Sequence, residues 1–219
     1  PQAMTTFPNS PKLLKGGIVL IDPQTARVQR IISLQYNPDS LSRTLQVQGS
    51  GESADRSEVL RLKGPAVETL KLDAEIDATD QMESGDATTG ELGIHPQLAA
   101  LETIVYPSSA QLEGNNDLAS WGILEILPME SLLTLFVFGK RRVLPVRITD
   151  FSISEEAFDP NLNPIRAKVS LGMRVLTVDD VGFSHRAGSL FMSYLQQKEG
   201  FAARNPGATL GTLGLTGIP

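Results

Sequence analysis

Apolar and polar residues alternate cleanly along two stretches of this chain. Leu70, Leu72, Ala74, Ile76 and Ala78 alternate with Lys71, Asp73, Glu75 and Asp77. Ile165, Ala167, Val169, Leu171, Met173 and Val175 alternate with Arg166, Lys168, Ser170, Gly172 and Arg174. A period of two sends successive side chains to opposite faces, so both stretches read as strands with one apolar face. The polar face of the first is acidic and that of the second is basic. Before the second lies Asp159-Pro160-Asn161-Leu162-Asn163-Pro164, with two prolines that fix φ and two asparagines that favour turns. Residues 155–176 therefore read as two strands hinged at an elbow.

The same reading extends along the chain. Ile18 to Ile21 begins a strand that Asp22-Pro23-Gln24-Thr25 turns back into Val28 to Leu34, a hairpin. Tyr36-Asn37-Pro38-Asp39-Ser40 turns again into Thr44 to Gln48. Leu132 to Phe138 is almost all apolar, as for a strand buried on both faces or one side of a subunit contact. In Val143 to Ile153 the apolar phase slips, with Val146 and Ile148 at even positions and Phe151 and Ile153 at odd ones. A slip of one residue predicts a β-bulge. Helices are predicted at His95 to Tyr106, with Pro96 in the first turn and Leu98, Leu101, Ile104 and Val105 on one stripe, and at Gly182 to Arg204. The stretches 49–58 and 79–93 read as polar loops, the second as a mobile one.

About seven or eight strands with few helices between them predict a mainly β fold: an antiparallel β-barrel or sandwich with one inserted α-helix and a C-terminal helix. The expected organisation is a flexible arm at 1–15, a β domain at 16–180, a helix at 181–204 and a Gly/Thr/Leu-rich tail at 205–219.

Composition then narrows the chemistry. The formal net charge of −6 disfavours nucleic acid, whose binding rests on Lys and Arg contacts to phosphate. No apolar run approaches the roughly 20 residues that span a bilayer, and residues 1–15 do not read as a signal peptide. The absence of cysteine removes disulfides, thiolate metal sites and thiol nucleophiles. His95, beside Pro96, reads as a helix-capping residue and His185 as a solvated helix end; neither has a metal-ligand neighbour at i+3 or i+4. Glu155 and Glu156 are adjacent on a strand and point to opposite faces, so they cannot flank one glycosidic bond. No catalytic, cofactor-binding or metal site is expected. What stands out is complementary charge. Asp73, Glu75 and Asp77 on one strand, and Arg166, Lys168 and Arg174 on another, are two solvated faces, pairs within one sheet, or a contact between copies.

Four strings, "LQYNPDSLSRTLQVQ", "DRSEVLRLKGPAVETLKLDAEIDATDQ", "HPQLAALE" and "LLTLFVFGKRRVLPVRITDFSISEEAFDPNLNPIRAKVSLGMRVL", resemble the tube-type baseplate protein of contractile injection systems. These are phage-tail-like devices that drive a rigid tube through a target envelope. The resemblance covers residues 16 to 180. It implies a tail-tube fold, no catalytic residues, and a homo-hexameric ring that joins a spike hub protein to the inner-tube protein beside baseplate wedge proteins. It also implies assembly in the bacterial cytoplasm. A principal inner-tube subunit is the neighbouring reading; a particle-borne wall hydrolase is the reading of another class. Longer relatives carry a LysM module where this sequence has a helix and tail. With a ring implied, the six charged residues become candidates for its subunit contact.

Overall fold

Seven strands form one antiparallel sheet in the computed structural model, which describes residues 14–49, 61–83, 85–120 and 131–218. They are β1 (Gly17–Ile21), β2 (Val28–Ser33), β3 (Ser42–Gln46), β4 (Val67–Asp77), β5 (Leu133–Val137), β6 (Val143–Phe158) and β7 (Pro164–Val175). Their order is β2-β1-β5-β6-β7-β4-β3, so β2 and β3 are the edges. The fold is mainly β, and both strands of clean alternation are present, with the elbow between β6 and β7.

The sheet is folded over rather than flat. Along β6, residues 143–146 pair with β5, whereas residues 146–158 pair with β7. The register with β7 skips Thr149, between Ile148 and Asp150. This is the bulge that the slipped apolar phase predicts, and it lies where β6 passes from one half of the sheet to the other. A bulge increases twist and bends the strand, so the two halves close on each other. In a flat sheet β2 and β4 would stand roughly 24 Å apart, five spacings of 4.8 Å. Instead the Gln35 amide, just beyond β2, bonds both backbone groups of Asp77 at the end of β4: Nε2 donates to the carbonyl at 2.6 Å and Oε1 accepts from the amide at 2.9 Å.

Between the halves lies the main core, including Ile18, Phe136, Leu144, Leu70, Leu171 and Met173. A second cluster occupies the other face of β1 and β5, where Ile21, Leu133 and Leu135 meet Ala187. β5 is thus covered on both faces within one chain, which accounts for its unbroken apolar run.

Helices are more numerous than the sequence pattern predicts. The expected loop 79–93 contains α1 (Thr79–Glu83) and α2 (Ala87–Leu92), and α3 (His95–Glu102) is followed by α4 (Ser109–Ser120). After β7 come α5 (Val178–Val181) and α6 (Arg186–Ala202). The single inserted helix of the expectation is therefore corrected to four among the described residues between β4 and β5. The cause is local capping: Asp77 Oδ1 accepts from Thr79 N at 2.8 Å, and Asp86 Oδ2 accepts from Thr89 N at 3.2 Å. His95 is the first residue of α3 and not its cap, which is Ile94. His185 caps α6, its Nδ1 accepting from Ala187 N at 3.1 Å. The expected arm at 1–15 falls outside the described residues except for Leu14 and Lys15, and most of the loop 49–58 falls outside them too. Residues 205–218 are exposed, with one 3-10 turn at Leu210–Leu213.

Candidate functional site

The sheet brings the acidic and basic strands side by side. In the β4–β7 register Asp77 faces Arg166, Glu75 faces Lys168, Asp73 faces Ser170, and Thr69 faces Arg174. Arg166 Nη2 lies 2.7 Å from Asp77 Oδ2, and its Nε lies 3.7 Å from Glu75 Oε1. Lys168 reaches the other way, to Glu156 on β6 at 2.7 Å, and Arg174 bonds Asp180 of α5 at 2.8 Å. All three cations thus have partners within the chain. Asp73 lies across from a serine and forms no ion pair among the described residues. β4 and β7 are flanked by strands on both sides, so this charged surface is a face of the sheet and not an edge.

Among the described residues the two edge strands are largely exposed, although Arg30 of β2 reaches α3 and its cap, donating to the Ala100 carbonyl and the Thr103 hydroxyl. Every residue of β3 is exposed, and all of β2 but Ile32. Among the exposed side chains are Val28 and Ile31 on β2 and Leu45 on β3, at 56%, 69% and 52%. Exposed edge strands of this kind present backbone donors and acceptors beside apolar side chains, which favours pairing with another strand. The two edges differ in sequence and in neighbours, so contacts between copies through them would be heterologous, as a closed ring requires.

A third feature escapes the strand-by-strand reading. Glu68 of β4 is 2% exposed and is the only buried carboxylate among the described residues. Arg43 of β3 donates to its Oε1 at 2.8 Å, the Tyr194 hydroxyl of α6 donates to Oε1 at 3.1 Å, and Lys198 of α6 donates to Oε2 at 2.8 Å. Arg43 also donates to the Tyr194 hydroxyl at 3.1 Å, and the Lys198 ammonium lies 4.1 Å from the centre of the Tyr194 ring. Burial by itself would raise the Glu68 carboxyl. Hydrogen bonds from Lys198 and then Arg43 outweigh it, and the group is held below its ordinary value. The geometry follows from register: Leu45 faces Glu68 and Arg43 faces Leu70, so Arg43 and Glu68 are diagonal neighbours on one face.

No family model matches the chain, and no curated protein matches it. Among solved structures it is similar to a chain from the tail of an empty gene transfer agent particle with C6 symmetry. That likeness has 12% identity, 74% of this chain and 90% of the other covered, and a TM-score of 0.28. A chain from the virion of a native gene transfer agent particle gives 12% identity, 73% and 90% coverage, and a TM-score of 0.25. TM-scores this low do not establish a shared fold.

The elbow between β6 and β7 is rigid. Asp159 Oδ1 accepts from the backbone of Asn161 and Asn163 at 2.8 Å each, and Oδ2 accepts from the Asn163 side chain at 2.9 Å. These bonds, led by the Asn163 side chain, hold the Asp159 carboxyl below its ordinary value. They also leave Leu162 at φ +66°, a left-handed conformation that costs a leucine about 1–2 kcal/mol, with 77% of its surface in water. Leu162→Asn should stabilise the protein by about 0.5–1 kcal/mol, because asparagine tolerates this region. A urea midpoint lower than the parent's would show that Leu162 makes contacts that outweigh its strain.

Among the described residues there is no helix long and apolar enough to cross a membrane, and no group of three or more acidic or histidine residues placed to hold a metal ion.

Proposed function

We propose that this chain is a structural component of a contractile injection system: a hexameric baseplate ring, acting as tube initiator or adaptor, that joins the spike hub to the inner tube. The observation that carries the reading is a folded sheet with two different exposed edge strands, β2 and β3, on a chain whose sequence resembles that family through residues 16 to 180. Edge pairing between copies would continue the sheet around a channel. Wedge proteins would meet the outer surface, and the charged face of β4 and β7 would turn to a neighbour or to the channel.

The test is electron microscopy of the purified protein, alone and with the inner-tube protein. Six-fold rings that nucleate tubes are expected. Ile31→Lys should abolish the rings while leaving the monomer's melting within about 1 °C, since an exposed edge side chain contributes little to the isolated fold. The charged face is tested separately. Reversing Arg166 and Lys168 to Glu removes exposed pairs of about 0–1 kcal/mol each, so melting should fall slightly. If the face also meets a neighbour, ring yield should fall steeply and recover in part when Asp73 and Glu75 are reversed to Lys. Rings equal to the parent's would take the six residues out of the subunit contact. A parent protein that stays monomeric and does not nucleate tubes would overturn the proposal itself.

A further inference from the structure

We infer that Glu68 couples the C-terminal helix to the sheet edge, so that docking of α6 sets the order of β3 and thereby its competence to pair with another chain. The coupling to ring closure rests on the function proposed above; the coupling within the chain does not.

Glu68 sits between two elements with little other hold on each other. β3 is an edge strand with every residue exposed, tethered on one side only, by its ladder to β4. α6 reaches the molecule from elsewhere. Its first turn packs Ala187 beside Ile21, Leu133 and Leu135, and its middle brings Phe191 and Tyr194 to the main core. At the end of that path Tyr194 and Lys198, one helical turn apart, close on the carboxylate that Arg43 holds from β3. The Tyr194 hydroxyl touches both partners, donating to Glu68 and accepting from Arg43.

A buried carboxylate without its cations is costly, so the three groups hold or release together. If α6 leaves, Arg43 alone faces a carboxylate newly open to water. The pair then becomes an exposed one of small worth, and β3 loses its main side-chain anchor. The edge would fray, as weakly packed terminal elements do. If α6 docks, Arg43 is fixed in place and β3 is presented as a straight, ordered template.

The experiment changes only α6 and reads β3. In the full chain, Tyr194→Phe with Lys198→Met removes both helix contacts to Glu68 while keeping the helix apolar. Amide hydrogen exchange over residues 42–46 should then quicken by about tenfold, with residues 133–137 and 143–148 unchanged. Glu68→Gln, which keeps the shape but loses the charge, should loosen 42–46 and 190–200 together. The ring yield of both variants should fall. Exchange in β3 that stays at the parent's rate overturns the inference. So does acceleration confined to α6, or acceleration equal in every strand, which would mean a general loss of stability. If the parent forms no rings, the proposed function fails, but the response of β3 still decides the coupling.

Discussion

Replacing Glu68 with alanine is expected to lower the melting midpoint by about 6–12 °C, a loss near 3 kcal/mol at 2–4 °C per kcal/mol for a chain of this size. The substitution leaves the buried Tyr194 hydroxyl without its acceptor and strips Arg43 and Lys198 of their shared partner. Both cations keep about a third of their side-chain surface in water, 30% and 34%. They can therefore rehydrate, which places the loss at the lower end for a broken buried pair. The pH dependence follows from the same group. Glu68 is held below its ordinary value of 4.5 against the effect of burial. Asp77 is also depressed, first by the Thr79 side chain and backbone and then by Arg166. A depressed carboxylate stabilises the fold above the unfolded value, and that stability disappears as pH falls through the folded value. The parent's melting midpoint should therefore decline below pH 4.5, and the decline should be shallower in Glu68→Ala. Parallel acid profiles for the two proteins would remove Glu68 from the account.

Gly172→Val should be about as damaging, with a loss of about 3 kcal/mol. Gly172 lies in β7 opposite Asp150, immediately past the bulge. A Cβ there would stand 2.8 Å from the Asp150 Cβ and 3.4 Å from the Thr149 hydroxyl. The first is fixed to the backbone and cannot rotate away, so either β6 moves or the bulge shifts. Valine is otherwise favoured in strands, and without the collision the change would be neutral or stabilising. The sign of the shift in urea midpoint therefore decides the matter. A stabilised Gly172→Val would show that the fold can relax at the bulge.

The strands were legible because their burial is regular. β4 and β7 each have one buried face, so the period of two is visible, and even the bulge left its mark in the apolar phase of residues 146–153. The helices after β4 were not legible. α4 is Ser-Ala-Gln-Leu-Glu-Gly-Asn-Asn-Asp-Leu-Ala-Ser and buries no residue, so no apolar stripe could announce it. The charges of β4 and β7 were visible as a set, but their partners depend on strand order, which alternation does not encode. Glu68 did leave a signal. It occupies the same phase as Leu70, Leu72, Ala74 and Ile76, a carboxylate on a buried face. Tyr194 and Lys198 likewise continue the stripe of Phe191 and Leu195. Charged residues that share a phase with a core are the pattern to look for, since they are rarely buried without a partner.

The distance along the chain between Glu68 and its helix partners bears on the order in which the molecule can be made. The β6–β7 hairpin closes through residues 159–163 alone, whereas Asp77 meets Arg166 across 89 positions and Glu68 meets Lys198 across 130. Closure entropy grows with loop length, so the hairpin is the expected nucleus, with β4 added later and the carboxylate cluster completed last. Synthesis runs in the same direction, because Tyr194 and Lys198 leave the ribosome after every strand has been made. A nascent chain that has not yet reached Lys198 would carry a frayed β3. If the coupling and the ring proposed above hold, subunits would gain a pairing-competent edge only once translation had passed α6, and growing chains would not join one another on the polysome.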